Sequence, residues 1–471
     1  MDKYLNISHL QKTLSNKEIL SGNFGLEKEG LRTTKEGKLA LTPHPEIFGD
    51  KLKNPHITTD FSESQIEIVT PVFNSINEAY QCLSFLVDIV NTSINPNEYI
   101  WNHSLPCILP KDEEIPLAKY EGKKGEASEQ YRKQLAKKYG TKKQMISGIH
   151  FNYSINDNTL KKLYKSTNKE KSFKEFKNQV YLKISRNYLR YKWLIIYLTG
   201  CSIAAHKSFT KECTKLMPEK DNNESYYSSQ AVSFRNSKAG YKNLEILTPS
   251  YNNINEFTTD IKEFIKQGKI SEAKELYSQI RLKPYHPENY MESLKEDGIN
   301  YVELRSIDIN TFDKCGISKK DMEFVHLFLI YMLIKEEKEY KNWQEESIEN
   351  EETVAEYAFK EGLKLLKNGE EIEINKWTNE IIQEIKQMNN TLQLHKEKAI
   401  QQVEERIKNP NKSYVKEYIK LIENKGFIKS QISISKNNKE TSENLIDLET
   451  IKNNKKLYEY YTKSLPNQEK I

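Results

Sequence analysis

Residues able to do chemistry gather in four short stretches of the chain. Glu27 and Glu29 stand two apart in Phe24-Gly-Leu-Glu-Lys-Glu-Gly-Leu-Arg32, and Glu67 is flanked by Ile66 and Ile68. His150 and Asn152 are again two apart in Ile149-His-Phe-Asn-Tyr153, as are Glu303 and Arg305 in Tyr301-Val-Glu-Leu-Arg-Ser306. Strand side chains alternate between faces, so residues two apart project together. Each stretch is read as a strand with ionisable groups on one face and apolar groups on the other, Phe24 and Leu26 or Val302 and Leu304 for example. For any one strand the ordinary reading is a half-buried antiparallel strand whose polar face meets water. Residue type favours more than that: four Glu and one His, with few of the Lys, Thr and Ser that dilute a solvated face.

If the strands share a sheet, the carboxylates raise one another's pKa unless cations lie among them. Hard oxygen ligands with one imidazole suit Mg2+ or Mn2+ rather than zinc or copper. Asp60, in the loop before the Glu67 strand, offers one more oxygen ligand. Arg305 admits two readings: an ion pair with Glu303 or a neighbour, or, together with Mg2+, neutralisation of a transferring phosphoryl group. Lys123, Lys124 and Arg132 supply further positive charge where a loop at Gly122 and Gly125 is expected to lead into a helix over residues 128–138, with Tyr131 and Leu135 on one face.

These strands need a body to hold them. The 471 residues carry 72 Lys+Arg against 67 Asp+Glu, with 28 Tyr, 17 Phe and 4 Trp, a charge-rich chain that is too apolar and aromatic to be disordered. A net charge of +5 with Lys interleaved among Glu argues against nucleic-acid binding. The longest apolar runs, residues 193–205 and 324–334, are shorter than the roughly 20 residues a membrane span needs and read as buried helices. The start shows no signal-peptide pattern and the five cysteines form no CxxC pair, so a cytoplasmic protein with free thiols is expected. No GxxxxGK[ST] or GxGxxG occurs, so any nucleotide is held by other means. Strands are expected to mix with helices up to about residue 310, and Lys/Glu-rich helices to follow. Ile374, Trp377, Ile381, Ile385, Met388 and Leu392 form an apolar stripe that predicts a docked helix, and another helix is expected after Pro410, ending at Gly426. Residues 429–443, polar and without pattern, are expected to be loose.

Six segments carry a resemblance: Gly25-Leu-Glu-Lys-Glu-Gly-Leu-Arg32, the run from His56 through Thr-Thr-Asp60-Phe-Ser-Glu to Pro71, Trp101-Asn-His-Ser-Leu-Pro-Cys107, Gln144-Met-Ile-Ser-Gly-Ile-His-Phe-Asn152, Arg186-Asn-Tyr188, and Tyr301-Val-Glu-Leu-Arg-Ser-Ile-Asp-Ile-Asn310. Together, and in order from about residue 20 to 310, they resemble bacterial glutamate-cysteine ligase (γ-glutamylcysteine synthetase), including relatives fused to a glutathione synthetase domain. The resemblance implies an α+β fold similar to glutamine synthetase, with a curved antiparallel sheet forming a concave active site surrounded by helices. It implies a catalytic α+β domain over residues 1–330 and a helical region over 331–471 packed on it.

The implied activity is ATP-dependent ligation of the glutamate γ-carboxylate to the cysteine amino group through a γ-glutamyl phosphate, the first step of glutathione synthesis. Carried over residue by residue, Glu27, Glu29, Asp60, Glu67, His150 and Glu303 are expected to bind Mg2+ or Mn2+, and Arg132 and Arg305 to face the transferring phosphate. Gln144, Ile146 and Asn152 are expected near glutamate, and Phe61, Tyr131, Leu135, Arg235, Tyr241 and Tyr277 around cysteine. The chain ends at Ile471, so a separate glutathione synthetase is expected for the second step. Two alternatives are a carboxylate-amine ligase with a different amine acceptor and a noncatalytic metal- or nucleotide-binding relative.

Overall fold

Alternation along seven strands builds the central sheet: β1 (Gly22–Thr34), β2 (Ile57–Thr59), β3 (Gln65–Val69), β4 (Glu98–Trp101), β5 (Ile149–Ile155), β6 (Ile280–Lys283) and β7 (Tyr301–Ile307). They run in the order β2-β3-β1-β5-β7-β6, with β4 on the far end of β1 and every pairing antiparallel. The computed structural model describes residues 4–222 and 224–468. Phe24, Leu26, Ile66, Ile68, Phe151, Tyr153, Val302 and Leu304 are all buried beneath one face of the sheet. Each such side chain contributes about 1.5–3 kcal/mol on leaving water. Lys28 is buried with Nζ donating to Asn102 Oδ1 at 3.0 Å, and burial pushes its pKa down to about 8 against the pull of Cys315, Asp313 and Glu29.

Helices surround the sheet. They are α1 (Ile76–Ser93), α2 (Gly122–Tyr139), α3 (Phe173–Thr199), α4 (Lys319–Ile334), α5 (Ile374–Thr391), α6 (Tyr414–Lys425) and α7 (Phe427–Leu445), with shorter ones between. Helix α3 starts at a capping box of Ser172 and Glu175 and stops at Gly200. It packs on the sheet through the Tyr188 hydroxyl, 2.6 Å from Ser306 Oγ, while His326 of α4 meets the rings of Phe24 and Tyr153. The mixture of helices with an antiparallel sheet is the α+β arrangement expected of the sequence.

The last third departs from expectation in two places. The α5 stripe does dock, with the Trp377 ring 4.7 Å from that of Trp193, and α6 ends at Gly426 with φ at +81°. Within this region, however, Lys364–Lys367 and Glu370–Glu373 form a β-hairpin turned at Asn368-Gly369, both at positive φ, the Asn-Gly pair a tight hairpin favours. Residues 429–443 lie in α7 and are not loose. The buried positions of α7 include Ser430, Gln431, Ser435, Lys439 and Ser442, and all of these but Ser435 are held by side-chain hydrogen bonds. Ser442 Oγ donates to Asp88 Oδ1 of α1 at 2.6 Å, and Lys439 Nζ donates to the carbonyls of Asn95 and Glu98. A further correction concerns α2, which begins at Gly122, so Lys123 and Lys124 are exposed first-turn residues, not a loop. Gly125 is needed there because a Cβ would sit 2.5 Å from the Tyr120 carbonyl oxygen.

Candidate active site

Register carries the four chemical stretches onto one face. Glu27 of β1 lies opposite Val69 on one side and His150 on the other, Glu29 lies opposite Glu67, and Glu303 lies between Asn152 and Arg281. The β7 register shifts between Leu304 and Ile307, and the N–H of Arg305 goes to the Gln279 carbonyl at 2.9 Å, a local irregularity of the kind that re-aims a side chain. Above this face is a cleft of about 380 Å3. Of the seventeen residues expected at a site, fourteen line it; Ile146, Asn152 and Arg235 do not.

The acids differ in their partners. Glu27 accepts from His150 Nδ1 at 2.7 Å and Asn152 Nδ2 at 2.9 Å. Burial and Glu303 push its pKa up, but His150 and Lys283 outweigh them and hold it below the ordinary carboxylate value. Glu29 accepts from the Gly148 N–H at 2.7 Å, and burial keeps its pKa raised in spite of His150. Glu67 has no hydrogen-bond or ion-pair partner among the described residues. Burial and then Glu27, Asp60, Glu29 and Glu303 push its pKa well above the ordinary value. Glu303, 0% exposed, is ringed by cations: Arg305 Nη1 at 2.6 Å, Arg281 Nη1 at 3.7 Å, and Lys283 Nζ. Burial alone would raise its pKa, yet Lys283, Arg305 and Arg281 hold it well below the usual range.

A cation fits one corner of this floor. Glu27, Glu67 and His150 each present a ligand atom, and these atoms lie within 4.8 Å of one another. His150 Nε2 is buried without a hydrogen bond, and the unpartnered Glu67 is a carboxylate that a cation would relieve. Oxygen donors with one imidazole suit Mg2+ or Mn2+. Glu29, Asp60 and Glu303 line the same cleft but stand outside that tight group.

Arg132, on α2, is engaged on several sides. Its Nε donates to the Asp60 carbonyl at 2.7 Å, its Nη1 to Ser128 Oγ at 2.5 Å and its Nη2 to the Tyr120 hydroxyl at 2.6 Å, with Nη2 also on the Asp60 carbonyl. Of the Arg305 fork, Nη1 alone is hydrogen-bonded among the described residues, to Glu303. The ion pair weighed for Arg305 from the sequence is therefore present.

Aromatic side chains close the other end. Tyr131 and Leu135 share a face of α2, with Lys274 Nζ 3.9 Å from the centre of the Tyr131 ring. The Tyr241 and Tyr277 rings lie 4.4 Å apart, the Tyr241 hydroxyl reaches Gln144 Oε1 at 3.4 Å, and Phe61 is buried. Gln144 Nε2 is buried with no partner. Ile146 is buried, its carbonyl accepting from Gln65 Nε2 at 3.3 Å, and Asn152 acts on the cleft through Glu27. Arg235 packs against Gly148, where a Cβ would sit 2.3 Å from its Nη2. Burial lowers its pKa, and Asp308 and Glu29 offset part of that.

Sequence reasoning missed Arg281, Lys283 and Lys274. The first two alternate with buried Ile280 and Leu282 along β6, the same period-two signal in a strand of four residues.

Residues 7–354 match the profile of the glutamate-cysteine ligase family. A bifunctional glutathione biosynthesis protein, GshAB, of Clostridium perfringens is 42% identical over 424 residues, covering 89% of this chain and 54% of that protein. A glutamate–cysteine ligase of Clostridium acetobutylicum is 35% identical over 370 residues, 72% of this chain and 77% of that protein. The chain spans about half the length of the fused relatives it matches. Among solved structures, a glutamate–cysteine ligase of Francisella tularensis in complex with AMP superposes with a TM-score of 0.86 at 26% identity, covering 96% of this chain and 94% of that one. A profile matched across most of the length and a fold shared with a solved member place the sheet and its cleft in a known lineage: the chain belongs to the glutamate-cysteine ligase family.

Proposed function

We propose that the cleft joins the γ-carboxylate of glutamate to the amino group of cysteine at the expense of ATP. The observation that carries this is the sorting of charge by strand order. Glu67 of β3 and Glu27 and Glu29 of β1 stand on one side, His150 of β5 in the middle, and Arg305 of β7 with Arg281 and Lys283 of β6 on the other. Such a floor offers one place for a cation and an adjoining place for phosphate, next to an aromatic pocket of amino-acid size.

A carboxylate is a poor acylating agent. The γ-carboxylate oxygen attacks the terminal phosphorus of ATP, a bond to phosphorus forms, and ADP leaves. The cysteine nitrogen then attacks the acyl carbon, the amide C–N bond forms, phosphate departs with the acyl C–O electron pair, and the amine loses a proton. Mg2+ or Mn2+, when bound, supplies neutralisation of phosphate charge. Glu27, Glu67 and His150 hold that cation, with Glu29, Asp60 and Glu303 as further oxygen donors. Arg305 faces the phosphate with the nitrogens that Glu303 leaves unbonded, and Arg132 faces it on exchanging part of its present bonding for phosphate oxygen. Gln144, with its free Nε2, Asn152 and the backbone at Ile146 lie towards glutamate. Phe61, Tyr131, Leu135, Tyr241 and Tyr277 enclose the acceptor and keep water from the acyl phosphate, and Arg235 supplies positive charge for its α-carboxylate.

The AMP bound by the Francisella tularensis relative supports an adenine nucleotide as a ligand of this chain. Among the described residues no helix is long and apolar enough to cross a membrane, and all five cysteines are free and buried, which supports a reducing, cytoplasmic setting. Relatives named as bifunctional combine two functions in one chain, which tempers the expectation of a separate synthetase. The test is ADP release with glutamate and a panel of amines. Cysteine and 2-aminobutyrate should be ligated and cysteamine, lacking the α-carboxylate, should be far poorer; cysteamine outperforming both would reject the acceptor assignment.

A further inference from the structure

The aromatic end of the cleft is assembled from three chain segments that no sheet or helix joins. Helix α2 brings Tyr131 and Leu135, one irregular stretch brings Tyr241 and another brings Tyr277. Their rings nevertheless meet, Tyr241 against Tyr277 at 4.4 Å and Tyr277 against Tyr139 at 5.4 Å.

A polar knot away from the cleft lining holds them. Glu275 is 1% exposed; its Oε1 accepts from Lys138 Nζ and the Tyr139 hydroxyl, both at 2.6 Å, and its Oε2 accepts from the N–H and hydroxyl of Ser271 at 2.6 Å each. Asn243, two residues after Tyr241 on the same stretch, bonds to both other segments at once. Its Nδ2 donates to the Tyr139 hydroxyl at 3.0 Å and to the Glu275 carbonyl at 2.8 Å, while its Oδ1 accepts the Tyr277 N–H at 2.9 Å. A buried carboxylate with four donors and an amide using both ends have little freedom to settle elsewhere.

We propose that Asn243 and Glu275 are positioning residues that set the spacing of Tyr131, Tyr241 and Tyr277, and so the fit of the amine acceptor. This rests on the reading of the aromatic end as the acceptor pocket. Neither residue lines the cleft, so both act through the tyrosines. Asn243→Asp keeps the shape but turns a donor into an oxygen facing the Glu275 carbonyl. Glu275→Gln is the milder change, keeping an acceptor and losing the charge that Lys138 meets.

The experiment is steady-state ADP release by the full chain, varying glutamate, ATP and whichever amine the wild-type enzyme ligates fastest. Asn243→Asp should raise KM for the amine about tenfold or more and Glu275→Gln a few-fold, because buried hydrogen bonds are lost at the pocket wall. KM for glutamate and ATP should stay within about twofold and kcat within about threefold, a split that general destabilisation does not produce. An unchanged amine KM in both variants, or all three KM values rising together, would overturn the clamp. Should Asn243→Asp fail to fold, the Glu275→Gln split decides. Wild-type protein that releases no ADP with any amine would instead overturn the ligase reading, and the clamp with it.

Discussion

Glu67→Gln should stabilise the protein in chelator while removing its response to divalent cation, two effects of opposite sign from one atom exchange. The ligand atoms of Glu27, Glu67 and His150 lie within 4.8 Å of one another, and at that distance two unit charges in an effective dielectric of ~20 interact by about 3.5 kcal/mol. Solvent in the open cleft and the cationic neighbours of Glu27 reduce the repulsion relieved to about 1–2 kcal/mol. Unfolding entropy of ~2.1 cal/mol/K per residue over 471 residues converts this to a rise of roughly 1–2 °C in Tm. The sign with pH follows from the raised pKa. Folded Glu67 binds its proton more tightly than unfolded Glu67, so the penalty is absent below the unfolded value near ~4, grows as pH rises and is complete above the folded value. The variant's advantage should therefore be seen at alkaline pH and vanish in acid. Adding Mg2+ or Mn2+ at about a hundredfold over its Kd should stabilise the wild type by ~2.7 kcal/mol and the variant by far less. Thermal melts with chelator and with cation, at both ends of the pH range, make the measurement. A variant that melts lower than wild type in chelator at alkaline pH, or one that keeps the full cation shift, refutes the reasoning.

Other variants probe the remaining parts of the site and its support. Arg305→Lys keeps the charge but loses the planar fork, and ADP release should fall at least tenfold with Tm little changed; near-full activity would make Arg305 only the ion-pair partner of Glu303. Gly148→Ala puts a Cβ 2.3–2.6 Å from three guanidinium atoms of buried Arg235, so the acceptor KM should rise and stability fall by about 1–3 kcal/mol; an unchanged KM would separate Arg235 from the acceptor. Arg406→Met leaves buried Asp321 with neutral donors only, Tyr414, Ser318 and Gln402, and should cost about 3 kcal/mol in urea unfolding, with a loss under 1 kcal/mol contradicting the pair's structural weight.

Much of the site was legible because strand periodicity and residue type spoke together. Glu27 and Glu29, His150 and Asn152, Glu303 and Arg305 are each two apart with apolar residues between, and the fold turns each pair to one face. Which group pairs with which was not legible. That Glu303 meets Lys283 and Arg281 depends on the β6–β7 register, and that Arg132 grips the Asp60 carbonyl depends on where α2 lies, neither of which is local. The β6 strand shows the limit well: Ile280-Arg-Leu-Lys283 alternates correctly, but four residues cannot distinguish a strand from a helical turn.

Helix α7 failed for a different physical reason. Periodicity finds a buried face through its hydrophobicity, and the face that α7 presents to α1 and β4 includes Gln431, Ser435, Lys439 and Ser442. These residues recur at helical spacing, four, four and three apart, so the geometric signal exists while the hydropathic one is absent. Burial of such a face is tolerable because the partners are specific: Ser442 Oγ donates to Asp88 and accepts from Asn91 Nδ2, and two carbonyls accept from the Lys439 ammonium. A polar stripe of this kind reads as solvated until the structure supplies its acceptors. The same blindness explains Asn243 and Glu275, whose influence on the tyrosines runs through hydrogen bonds between segments from about thirty to more than a hundred residues apart. Where burial is apolar the sequence announces it; where burial is polar, only the partner across the interface does.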